Sequence, residues 1–89
     1  MSQAQALHDA RLAQGSHSPA YMAGYLDGLQ TAFGEPRDCE HLVRSYRVRS
    51  ADHDAMRYGQ TEGEADARDA KALEFFKPKQ PSPSKRRAA

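Results

Sequence analysis

Two short segments of this chain place a pair of glycines in the same local pattern. The first reads GYLDG over residues 24–28 and the second reads GQTEG over 59–63, so each has glycine, two residues, an acid and glycine. Glycine inside a helix costs roughly 1 kcal/mol relative to alanine, a cost that close approach of a second helix explains. The repeat predicts a helical hairpin in which small residues of each helix admit aromatic side chains of the other. We call the contact between the two helices the Tyr/Gly seam, and we expect it to contain Tyr21, Tyr25, Gly28, Tyr58, Gly59 and Gly63.

The first glycine segment belongs to a helix with clear end signals. Ser18 can accept a hydrogen bond from a free backbone N–H, Pro19 suits the first turn, and Gly34 suits the end. One apolar stripe recurs between them at helical spacing and comprises Met22, Leu26, Leu29 and Phe33. We expect Gly24 and Gly28 to lie on different faces of this helix.

Three further segments have helical character. Residues 2–14 predict a short first helix, and a long last helix is predicted from Ser50 or Asp52 until Pro78. The stretch 37–49 fits either a helix or a half-buried strand, and we favour the helix because a strand has no obvious partner. The predicted fold class is all-α, a small helical hairpin or bundle with a long C-terminal helix.

The second half of the last helix has an unusual composition. Beyond Gly63 alanine is its only apolar residue type before Leu73, and a helix without large apolar side chains is poorly anchored by burial. We therefore expect this part to project or to lie on a partner. Phe75 and Phe76 at its end have two interpretations. Either they pack back onto the helical domain of residues 1–76, or they are exposed and contact a partner.

Residues 77–89 form a segment of different character. They contain three prolines and five basic residues but no acidic one, which predicts a disordered basic tail. Residues 1–76 are then a single small helical domain. The basic residues of the tail are Lys77, Lys79, Lys85, Arg86 and Arg87.

The net charge of +1 hides a strong separation of charge along the chain. Without the tail, eight basic residues face twelve acidic ones. The stretch 37–49 contains four arginines, whereas 52–76 is strongly acidic. Arginine binds phosphate or carboxylate in two-point contacts. Two alternatives stay open: the acidic helix covers the arginines, or the arginines are free for a partner.

The composition argues against enzyme chemistry. Only 38% of the residues are hydrophobic and none is tryptophan, which indicates too small a core for a roofed active site, so we expect neither catalysis nor a cofactor. The Cys39-x-His41 spacing lacks the paired ligands of zinc modules, so no metal site is expected. A single cysteine and the absence of an apolar leader or membrane-length segment predict a soluble cytoplasmic protein with no membrane partner.

A family resemblance follows from the glycine segments and their neighbours. The pattern Ala20-Tyr21-Met22-x-Gly24-Tyr25-x-x-Gly28, then Cys39, then Ala55-x-x-x-Gly59-x-x-Glu62-Gly63 resembles the ribosome modulation factor family over residues 20–63. Members are small bacterial proteins with two helices that bind the small ribosomal subunit during hibernation. The resemblance implies a two-helix core and a ribosomal partner.

Two functional hypotheses result. The first is a ribosome- or RNA-binding regulator that uses Arg44, Tyr46, Arg47, Arg49 and the basic tail, with Tyr46 as a base-stacking surface. The second is a phage- or plasmid-type inhibitor that binds a host protein through its acidic helix. Its contact residues are Glu62, Glu64, Asp66, Asp69, Phe75 and Phe76. A homodimer through the Tyr/Gly seam is compatible with both hypotheses.

Overall fold

The computed structural model describes residues 2–76, with side chains up to Leu73. Four helices follow one another in this range: α1 (Gln3–Leu12), α2 (Pro19–Phe33), α3 (Glu40–Ser45) and α4 (Ala51–Phe76). No strand occurs within residues 2–76, so the all-α prediction is confirmed for the described part. The predicted disorder of 77–89 lies outside the described residues.

Serine side chains begin three of the helices. The hydroxyl oxygens of Ser2, Ser18 and Ser50 accept hydrogen bonds from backbone N–H groups in the first turns of α1, α2 and α4. Gly34 ends α2 with φ of 72°, a left-handed conformation that glycine adopts without a side-chain clash. The predicted boundaries of α2 are therefore confirmed, and Ser50 rather than Asp52 caps α4.

Backbone contact at four glycines joins α2 to α4. A Cβ built on any of them would overlap a carbonyl oxygen of the opposite helix: Gly24 with Met56, Gly28 with Gln60, Gly59 with Tyr21, and Gly63 with Tyr25. The expectation that Gly24 and Gly28 lie on different faces is wrong, because residues four apart share one face of a helix. The two glycine segments thus contact each other reciprocally, each through equivalent positions of the repeated pattern.

The order of these contacts fixes the direction of the helices. The contacted positions ascend along α2 and α4 together, so the two helices run parallel. A hairpin of neighbouring helices is antiparallel, whereas here residues 34–50 return the chain to the beginning of α2 before α4 starts. Met56, near the start of α4, accordingly clusters with Ala20 and Ala23, near the start of α2.

The expected role of Tyr58 is wrong. Its side chain does not fill the seam, since the residue is 61% exposed. Tyr21 and Tyr25 are buried as predicted, and Tyr58 only leans on Tyr21 from outside, with ring centroids 6.0 Å apart. At this level Gly59 rather than Tyr58 faces α2, because a Cβ on Gly59 would overlap the backbone of Tyr21.

Small residues also anchor the second half of α4, which we expected to project or to lie on a partner. Ala67 is completely buried in a cluster with Ala4 of α1 and Leu29 of α2. Further along, the Lys71 ammonium donates to the carbonyl oxygen of Ala32 at 2.8 Å. The expectation fails because alanine lets helices approach closely enough to exclude water without large side chains.

The ambiguous stretch 37–49 is part helix and part turn. Val43, on the inner side of α3, is buried with Ala23 and Met56. After α3, a turn from Arg47 to Ser50 leads directly into α4. Among residues 2–76, no helix is both long enough and apolar enough to cross a membrane.

Candidate functional site

A tight turn presents two arginines between α3 and α4. The Ser50 N–H donates to the Arg47 carbonyl oxygen at 3.0 Å, which places Val48 and Arg49 at the two central positions. Arg49 has φ of 76°, as the third residue of a type II turn requires. We call Arg47, Val48 and Arg49 the basic tip.

The side chains of the basic tip are directed to solvent. Arg47 and Arg49 are exposed, and Val48 between them is 68% exposed. Neither arginine forms an ion pair with another residue of the described chain. Arg44, one turn earlier, pairs through Nη2 with Glu40 Oε2 at 2.7 Å but keeps 73% of its side chain exposed. Within the described range, the acidic helix therefore leaves the arginines uncovered.

Tyr46 has a different environment from the arginines around it. Its ring is half-buried against the cluster that contains Val43 and Met56. Burial raises the pKa of its phenol, and the nearby Asp52 carboxylate adds to the increase. The ring therefore contributes to the core, which limits its use as the stacking surface expected from the sequence.

A groove of about 350 Å³ lies beside α3 and is lined by Arg37, Asp38, Glu40, His41 and Arg44. Its charges largely satisfy one another. Glu40 lies between the guanidinium groups of Arg37, at 3.7 Å, and Arg44. Asp38 is held by Gln30, whose amide nitrogen donates to its carboxylate at 3.0 Å. The groove therefore offers little unpaired positive charge.

Beneath the groove, a buried carboxylate organises the chain. Asp27 of α2 has only 3% of its side chain exposed. Arg37 donates to both of its oxygens, at 2.8 and 3.0 Å, and the Gln60 amide of α4 donates to one of them at 2.9 Å. This cluster ties the segment before α3 to the parallel helix pair.

Two acidic residues of α4, Glu62 and Asp66, are bound by side chains of α1 and α2. Arg11 of α1 donates to Glu62 at 3.1 Å and to Asp66 at 2.7 Å, with its guanidinium 4.6 Å from the ring centre of Tyr25. The hydroxyl groups of Tyr21 and Tyr25 donate to the same two carboxylates. The hydrogen bond from Tyr21 is the main cause of the lowered pKa of Glu62. These contacts join α1, α2 and α4.

The other candidate residues are divided between solvent and the undescribed part of the chain. Glu64 and Asp69 are exposed on α4, whereas the side chains of Phe75 and Phe76 lie outside the described residues. The tail residues Lys77, Lys79, Lys85, Arg86 and Arg87 lie outside them as well. Arg44 and the basic tip are thus neighbours in sequence, in α3 and in the turn that follows it. Glu62 and Asp66 belong to a separate cluster around Arg11.

Sequence reasoning missed the two arginines that organise the fold. The prediction treats Arg37 only as one of the four arginines of 37–49, and it gives Arg11 no role. The available signal was Asp27, an acid next to the apolar stripe of α2 that needs a cationic partner once buried. Cys39 is half-buried against both core clusters, and burial raises the pKa of its thiol. Within the described range, no group of three or more metal-ligating side chains forms.

Comparison with known proteins adds no relative to these observations. The chain matches no family model, and neither the curated proteins nor the solved structures contain a detectable match.

Proposed function

We propose that this protein is a small non-enzymatic RNA-binding regulator that contacts RNA through Arg44 and the basic tip. The backbone of Arg49 carries the proposal, because its φ of 76° lies in a region that costs a residue with a side chain about 1–2 kcal/mol. Strain of this kind concentrates at functional sites. Glycine or asparagine fits the same position more easily, so a role for the guanidinium explains the arginine.

The charge distribution supports the same assignment. Arg47 and Arg49 have no carboxylate partner within the described chain, and free guanidinium groups bind phosphate well. Glu62 and Asp66, by contrast, are bound to Arg11. On sequence grounds, the basic residues of 77–89 would add further phosphate contacts. With the resemblance to ribosome modulation factors, the small ribosomal subunit is the partner to test first.

The alternative function, inhibition of a host protein through the acidic helix, has weaker support. Two of its proposed contact residues, Glu62 and Asp66, already bind Arg11 and two tyrosine hydroxyl groups. Glu64 and Asp69 remain as exposed acids. Binding to a protein is therefore an outcome of the experiment below rather than the favoured function.

The test is co-sedimentation of the full chain with ribosomes at low and moderate salt, followed by titration against purified ribosomal RNA. Replacing Arg44, Arg47 and Arg49 by alanine should strongly weaken co-sedimentation, and it should reduce the slope of log affinity for ribosomal RNA against log salt by about one per arginine. The control replaces Arg57 and Arg68, two exposed arginines of α4, and its match in charge is the double replacement of Arg47 and Arg49. The control variant should bind nearly as the original does.

Two results would contradict the proposal. One is the absence of co-sedimentation at low salt, and the other is an equal loss in the control variant. Affinity purification with and without nuclease separates the two functions. A partner that survives nuclease and is lost on charge reversal at Glu64 and Asp69 would establish the protein-binding alternative instead.

A further inference from the structure

The basic tip combines cations with one apolar side chain and lacks an exposed aromatic ring. Val48 is 68% exposed between its two arginines, while the nearest ring in sequence, Tyr46, is half-buried against a core cluster. The exposed Tyr58 belongs to a different cluster, since it leans on Tyr21 and its hydrogen bond to Glu62 raises its pKa. Proteins that read unpaired RNA stack its bases on exposed rings.

The groove beside α3 is also poorly suited to an unpaired nucleotide. Its two arginines are engaged by Asp27 and Glu40. The one ring on its lining, His41, shares the groove with Asp38 and Glu40, whose carboxylates would repel the phosphates of a strand placed there. Recognition of a single strand needs an exposed ring and a groove that accepts the phosphate backbone. The basic tip has no such ring, and the groove beside α3 repels phosphate.

Double-helical RNA makes different demands. Its minor groove is wide and shallow, and proteins recognise it mainly by shape and by phosphate and ribose contacts. A narrow turn with a small apolar apex and an arginine on each side matches that surface. The left-handed backbone of Arg49 keeps this turn tight.

We propose that the basic tip docks on the minor groove of base-paired RNA, with Val48 over the groove and Arg47 and Arg49 on the phosphates beside it. The inference rests on the proposed RNA-binding function and adds the class of RNA. Recognition is then by helix shape and backbone charge, without base stacking and with little dependence on sequence.

The test titrates the full chain against three labelled nucleic acids of one sequence at low salt: an RNA duplex, the unpaired RNA strand, and the DNA duplex. We expect the RNA duplex to bind at least about fivefold more tightly than either of the others. A second RNA duplex of unrelated sequence should bind equally well.

Three variants sharpen the result, with circular dichroism as the check on folding. Val48→Ser should remove most of the duplex preference. Leu42→Ser, at an apolar residue that is 47% exposed on α3, is the matched control and should keep the preference. Tyr46→Leu retains an apolar side chain in the core, and it should leave the affinity for the unpaired strand unchanged.

The inference would be overturned if the unpaired strand bound more tightly than the RNA duplex, or if Tyr46→Leu lost its affinity for the unpaired strand. Either result would leave the proposed function standing. Equal effects of Val48→Ser and Leu42→Ser would also overturn the inference. If none of the three nucleic acids binds in a salt-dependent way, the proposed function itself fails.

Discussion

Gly24 lies so close to the backbone of Met56 that a Cβ on the glycine would overlap the Met56 carbonyl oxygen. At the equivalent position of the second segment, Gly59 meets Tyr21 in the same way. Contacts this close allow Cα–H groups to approach carbonyl oxygens and bring many backbone atoms within dispersion range. The parallel pair thus depends on close approach of backbones, which explains how a chain with 38% hydrophobic residues forms a core.

Gly24→Ala should destabilise the protein although it improves helix propensity. The methyl group gains roughly 1 kcal/mol in propensity, but it must push α4 away along the whole seam, and overpacking of this kind costs about 1–3 kcal/mol or more. We expect a net loss of about 1–2 kcal/mol in the free energy of unfolding, measured by urea denaturation. The control is Thr61→Ala at an exposed position of α4, which should be neutral or slightly stabilising.

The sequence indicated the seam but not the direction of its helices. Glycine spacing marks the faces that meet, and it is the same for parallel and antiparallel pairs. The direction depends on how residues 34–50 return, and that path involves tertiary contacts such as the ion pair of Arg37 with Asp27, which the glycine spacing does not reveal. The arginines of the candidate site were predictable from composition, whereas the left-handed backbone of Arg49 was not, because no glycine marks it.

Arg37→Ala should be strongly destabilising because it leaves the Asp27 carboxylate, with 3% of its side chain exposed, without a cation. We expect a loss of about 3 kcal/mol in urea denaturation, at the low end for a broken buried pair because Arg37 itself is partly exposed. Arg44→Ala, which breaks only a surface pair with Glu40, should cost at most about 0.5 kcal/mol. Adding Asp27→Asn to Arg37→Ala should recover part of the loss. No recovery would show that the unpaired charge is not the cause.

The protein should lose stability in alkali through its buried tyrosines. Burial, together with the hydrogen bond to Glu62, raises the pKa of Tyr21 to about 12, and burial also raises the pKa of Tyr25. An unfolded tyrosine ionises near pH 10. The stabilisation from the neutral phenol of Tyr21 is therefore complete below about pH 10 and is lost as the pH rises towards 12.

Tyr21→Phe tests this assignment. It should cost about 1 kcal/mol at neutral pH, because the hydroxyl group loses its bonds with Arg11 and Glu62. It should also make the alkaline decline shallower when urea denaturation is repeated at increasing pH. Tyr58→Phe, at an exposed ring whose pKa is raised by its hydrogen bond to Glu62, should change the decline less than Tyr21→Phe does. Identical pH profiles for Tyr21→Phe and the original chain would contradict the assignment.

Arg49→Gly should separate stability from binding. Glycine adopts positive φ without strain, and relief of about 1–2 kcal/mol is offset in part by the greater freedom of the unfolded chain, so we expect a net gain of about 0.5–1 kcal/mol. RNA affinity should fall at the same time, because one phosphate contact is lost. Arg49→Lys keeps the charge and the strain but loses the two-point contact of the guanidinium, so stability should stay nearly unchanged and RNA affinity should fall, although less than in Arg49→Gly. A stabilised Arg49→Gly that binds RNA normally would remove the reason given for the arginine.

Asp54→Asn should strengthen RNA binding. Asp54 follows the basic tip in the first turn of α4, and 80% of its side chain is exposed, so its charge opposes the approach of phosphate. We expect affinity for RNA to rise about two- to fivefold at low salt, and the gain to disappear at high salt as charges are screened. The free energy of unfolding should fall by about 0.3–1 kcal/mol, because an acid in the first turn favours the helix dipole. Glu64→Gln removes the same charge from an exposed position further along α4, and it should leave RNA affinity nearly unchanged. An equal gain from both variants would mean that total charge, rather than a site at the basic tip, governs binding.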